Sequence, residues 1–93
     1  MVTATVQIGN TDDKLSQYEW SEYVRQVQSA IDSTCDDVHF FGGSHTWAVW
    51  QNVCWVFAIT EEDATRLKKY LTEIRIKYRQ DSVALTFGET QFV

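Results

Sequence analysis

Residues 53–59, VCWVFAI, are apolar at every position, and TEED follows at once. A run this short between turn and cap signals is too brief for a buried helix. It fits a strand with both faces covered or half covered, which places it inside a sheet rather than at its edge. The rest of the chain must supply neighbours for such a strand.

Two other segments read as strands with one buried face. In VTATVQI, Val2, Ala4, Val6 and Ile8 alternate with Thr3, Thr5 and Gln7; in DSVALTF, Val83, Leu85 and Phe87 share a face. A fourth, VHFF, is short and closed by Gly42 and Gly43. Between the strands lie two helical stripes. The first starts at a capping box, Ser16 with Glu19, with Leu15 set to pack on Trp20. It continues through Tyr23, Val24, Val27, Ala30 and Ile31 to about Ser33. The second starts at Thr60, carries three acids in its first turn, and buries Ala64, Leu67, Leu71, Ile74 and Tyr78.

The order is βαββαβ in 93 residues. This predicts one domain, residues 1–93, of α+β class: a ferredoxin-like sandwich with a four-stranded antiparallel sheet and both helices on one face. Its first and third strands are central, which agrees with the two-sided apolarity of residues 53–59. Hydrophobic residues make up 44% of the chain, enough to fold without a disulfide or a structural metal. Cys35 and Cys54 are the only cysteines, no basic-then-apolar leader follows Met1, and no apolar run approaches the ~20 residues of a membrane span. The expectation is a cytoplasmic protein with free thiols.

The net charge of −5 conceals an asymmetry. Arg66 to Arg79 holds six basic residues against one acidic, leaving two basic against twelve acidic elsewhere. An acidic bulk lacks the footprint that nucleic acid requires and offers little to an anionic membrane. The basic run reads as dipole compensation on an exposed helix face.

The segments ATVQIGNTDDKLSQYEW, VHFFGG, WQNVCWVF and YRQDSVALTFGETQFV resemble a group of short proteins of actinobacteria and their bacteriophages. The resemblance implies a phage or mobile-element origin, hence the host cytoplasm as location. It assigns no residue a role.

A ferredoxin-like fold hosts many activities, so function is argued from sites. RNA recognition needs aromatics and a basic, Gly-containing motif on the central strands, where this chain has Gln7 and QNVCWVFAI. An acylphosphatase-like phosphate cradle would meet Asp12 and Asp13. Cys35, His39, His45 and Cys54 have no zinc-ligand spacing, and NTDDK lacks the glycine and terminal glutamate of a calcium loop. No metal or cofactor is expected. A thiol nucleophile, Cys54 or Cys35 with His39, would need an electropositive setting that nothing nearby supplies. No catalytic residue is expected.

Two surfaces remain. Trp47 and Trp50 fall in the connection from Gly42 to Asn52, eleven residues where a hairpin needs two to five. They either present a contact surface or fold back over the core, whereas Trp55 belongs to the core. The first reading is therefore a non-catalytic interaction module that docks a protein partner through Trp47, Trp50, His45, Phe41 and Gln51. The second is a small-ligand binder, or an enzyme of the dimeric α+β barrel kind, that uses the open sheet face with His39, Phe41, Cys54 and Val56. That face is half apolar, which also fits coverage by a second copy of the chain as a homodimer.

Overall fold

β1 (Val2–Gly9) is the centre of the structure, a computed structural model that describes residues 1–45 and 47–93. Its alternation turns Ala4, Val6 and Ile8 into the core, while Gln7 stays exposed and Thr3 and Thr5 half-buried on the other face. α1 (Gln17–Thr34) starts at the expected capping box: the Ser16 side chain accepts from the Glu19 amide, and the Glu19 carboxylate accepts from the Ser16 amide. β2 (Asp37–Gly43) and β3 (Asn52–Ile59) form a hairpin. α2 (Glu61–Lys77) is capped by Thr60, and β4 (Ala84–Gly88) closes the order.

The sheet is wholly antiparallel, in the order β2-β3-β1-β4, with β1 and β3 central as the apolar pattern requires. Both helices pack on one face, giving the ferredoxin-like α+β sandwich. Their stripes meet the inward residues of the sheet in a single core that includes Val6, Trp55, Phe57, Ile59, Val27 and Leu67. Trp55 is fully buried, and its Nε1 donates to Gln28 Oε1 on α1 at 2.6 Å. An indole N–H taken out of water needs such a partner. Among the described residues no helix is long and apolar enough to cross a membrane.

The β2 register corrects one expectation. A uniform pairing would put His39 and Phe41 on the open face beside Cys54. Instead Val38 pairs with Phe57 and Phe40 with Val56, so His39 is the extra residue of a bulge. Beyond it every side chain changes face. Phe41 pairs with Trp55 on the helix side, ring centroids 5.5 Å apart, and Phe40 takes the open face. The packing of Phe41 against Trp55 is the physical reason for the shift. The hairpin connection is also shorter than Gly42 to Asn52. Gly43 still pairs with Val53 and the Ser44 amide donates to the Asn52 carbonyl, which leaves residues 44–51.

Candidate functional site: a cleft at the loop end of the open sheet face

The pairing fixes where three connections meet. Gly9 at the end of β1 pairs with Asn52 at the start of β3, Gly43 ends β2 beside Val53, and Ala84 opens β4 opposite Gln7. Loops 10–16, 44–51 and 78–83 therefore gather at one end of the sandwich. Where they rise above the open sheet face they enclose a cleft of about 710 Å³. Its floor is Gln7, Gly42, Cys54 and Ala84; Phe40 stands on one side, and Asp12 and Asp81 on the other. Gly43 permits the close approach of the two strands at the mouth, since a Cβ there would sit 2.5 Å from the Asn52 carbonyl oxygen.

The acidic side of the cleft is built by a clasp between loops far apart in sequence. Asn10 is buried and bonds Leu15 in both directions, its Nδ2 donating to the Leu15 carbonyl and its Oδ1 accepting from the Leu15 amide. This fixes the first loop. Lys14 Nζ then lies 3.6 Å from Asp12 and 3.5 Å from Asp81, and donates to the Arg79 carbonyl. Arg79 answers by donating to the Lys14 carbonyl and to Glu19 Oε2, at 3.2 and 3.0 Å. Arg75 donates to the carbonyls of Gln80 and Asp81. Asp13 and Arg79 both sit in the left-handed region, at φ 56° and 57°. That conformation is uncommon outside glycine and is held here by the clasp. The bond from the Ser16 amide, and next the one from Arg79, hold the Glu19 carboxyl below the usual range.

Gln80 deepens the wall. It is only 8% exposed, and its Nε2 donates to the Tyr78 carbonyl at 3.1 Å. That bond holds the side chain against the loop, and Gln80 is one of the residues that line the cleft.

Of the residues proposed for a ligand, only Cys54 lines this cleft. Val56 lies further along the open face. His39, on the bulge, has Nε2 3.9 Å from Asp37 Oδ2. Phe41 is on the other side of the sheet. Cys35 sits at the C-cap of α1, away from the cleft, and burial raises its thiol pKa, which works against a nucleophile. No three His, Cys, Asp or Glu side chains gather in a metal-holding group among the described residues.

Of the residues proposed for a partner, His45, Trp47, Trp50 and Gln51 lie in the connection between β2 and β3, whereas Phe41 packs on Trp55 at the helix side of the sheet. Trp47 is 76% exposed and stacks on His45, with centroids 4.3 Å apart; Trp50 and Val49 are exposed as well. Gln51 exchanges side-chain hydrogen bonds with Gln17 at the start of α1, and its carbonyl accepts from the Asn10 amide just after β1. Sequence reasoning missed Phe40, Gln80 and the Asp12 and Asp81 pair. The segment RQDS had the composition of a polar wall, but nothing in its spacing pointed to loop 10–16.

No family model matches the chain, and no curated protein matches it. Among solved structures it is similar to a phage SAM lyase in complex with S-methyl-5'-thioadenosine, with a TM-score of 0.57 and 16% identity, over 95% of this chain and 80% of that one. At that identity the likeness is one of fold.

Proposed function

We propose that the chain is a small-ligand-binding protein whose site is the open-face cleft, and that its ligand is a sulfur-bearing adenosine derivative. The observation that carries this reading is the cleft itself, about 710 Å³ with one aromatic wall and converging amides, hydroxyls and carboxylates. Small-molecule sites span roughly 300–1,000 Å³ and combine an apolar surface with a few placed polar groups. The phage SAM lyase of similar fold is described with S-methyl-5'-thioadenosine, which supplies the chemical class to try first. A phage or mobile-element origin, with action in the host cytoplasm, fits both that neighbour and the sequence resemblance. The test is calorimetric titration with S-methyl-5'-thioadenosine. Saturable binding that is lost in Ala84→Trp, with the melting temperature retained, supports the reading. Absence of heat at millimolar ligand, or binding indifferent to Ala84→Trp, contradicts it.

A second reading has its own observation. Trp47, Val49 and Trp50 are 76%, 87% and 52% exposed on one loop and contribute nothing to the core. Exposed indoles are common hot spots for protein partners. On this reading the loop docks a host protein. Loss of partner capture in a Trp47→Ala/Trp50→Ala variant of unchanged stability supports it; capture retained in that variant contradicts it.

A further inference from the structure

We propose that the outer edge of β4 is an interaction surface that takes an extended, acidic segment of a partner protein as an added strand, with one apolar side chain seated in the groove between β4 and α2. This surface is separate from the cleft and from the tryptophan loop, and depends on neither reading. The sheet has two edges. At the β2 edge the bulge at His39 breaks the ladder, a device that discourages pairing. β4 is regular: it pairs with β1 without interruption, from Thr3 with Gly88 to Gln7 with Ala84, and its residues ALTFG include neither proline nor a charge. Its outer row of amides and carbonyls has no strand partner among the described residues.

The groove beside that edge sets what the added strand must carry. It holds about 310 Å³, with Leu71, Val83 and Leu85 as an apolar floor and Lys68 and Arg75 as its charged side chains. Of the six basic residues from Arg66 to Arg79, Arg66 pairs with Asp63 and Arg79 with Glu19. Lys68, Lys69, Arg75 and Lys77 form no ion pair among the described residues. The contacts that hold the two groove cations leave their charge uncompensated. Lys68 Nζ stands 5.3 Å from the centre of the Phe87 ring, Arg75 donates to the Gln80 and Asp81 carbonyls, and the Asp81 carboxylate is engaged by Lys14. Alternate residues of an added strand face the helix side, over this groove. From Lys68 to Arg75 the helix rises about 10 Å. Two acids flanking an apolar residue in that alternation span about 13 Å, so acid, apolar, acid matches cation, floor, cation. A second copy of the chain fits poorly, because two β4 edges paired about a two-fold axis would set two basic α2 faces side by side.

The experiment titrates the whole protein with the synthetic peptide acetyl-TETLTET-amide, and with its charge-reversed counterpart acetyl-TKTLTKT-amide, while amide hydrogen exchange is followed. The acidic peptide is expected to bind saturably, more weakly in high salt, and to slow exchange within Ala84–Gly88 while β2 is unchanged. The lysine peptide should bind about tenfold more weakly or worse. Lys68→Glu, at an exposed position, should weaken the acidic peptide about three- to tenfold with the melting temperature retained, and Arg75→Gln should act in the same direction. Equal affinity for the two peptides, affinity unmoved in both variants, or no binding at millimolar peptide overturns the proposal. So does protection of β4 in the free protein by self-association. Saturable binding of a single-stranded oligonucleotide to the same cations, with exchange at β4 unaltered, assigns the basic face to nucleic acid and overturns it as well.

Discussion

The Phe40 ring lies over Gly42, two residues along the same face of β2: a Cβ built on Gly42 would stand 2.6 Å from the ring's Cζ. The contact is with the far end of a half-exposed side chain, so the ring can swing aside. Gly42→Ala is therefore expected to change stability by less than about 1 kcal/mol. It should weaken S-methyl-5'-thioadenosine binding several-fold, because the cleft loses its aromatic wall. Melting curves and calorimetry on the same variant separate the two effects.

Trp55 and the loop tryptophans should part sharply in denaturant titrations. Trp55→Ala removes a fully buried indole and should cost ~3–5 kcal/mol. Gln28→Leu, which strands the Trp55 N–H, should cost ~1–3 kcal/mol. Trp47→Ala/Trp50→Ala should stay within about 1 kcal/mol of the parent, because Trp47 is largely exposed, Trp50 is half exposed, and neither belongs to the core cluster. A loss comparable to that of Trp55→Ala would mean that the loop covers the core.

Acid stability should carry the mark of Glu19. Its carboxyl is held low in the folded state by the Ser16 amide and Arg79. A depressed folded pKa contributes stability that is present above the unfolded value, near 4.5, and lost as the pH falls through the folded one. Glu19→Gln should flatten the pH dependence of the melting temperature in that window and leave little difference from the parent below it.

At the alkaline end the group is Tyr23. Burial pushes its phenol up to about 12 from an ordinary 10. A raised folded pKa gives stability that is full below pH 10 and lost as the pH rises toward 12. Tyr23→Phe should move the alkaline unfolding midpoint upward; an unmoved midpoint would place the transition elsewhere.

The elements and their order were legible because each is fixed by local pattern: the capping box at Ser16, the stripe from Trp20 to Ile31, and the alternation of β1. The face of Phe41 was not. One extra residue at His39 reverses the pleat, and what favours the bulge is the packing of Phe41 on Trp55, a contact formed only in three dimensions. The cleft was illegible for a related reason. Its wall depends on Lys14 and Arg79 exchanging bonds across 65 residues of chain. Such a pairing leaves no periodicity in either loop. The exposure of Trp47 and Trp50 could be framed from loop length but decided only by the fold.

The most direct test of the ligand site is an amide-resonance titration of the isotope-labelled protein with S-methyl-5'-thioadenosine. The account predicts saturable shifts concentrated at Gln7, Gly42, Cys54, Gln80, Asp81 and Ala84, with the helix-side residues Val27 and Leu67 unmoved. No shifts at millimolar ligand, or shifts confined to residues 44–51, would contradict it.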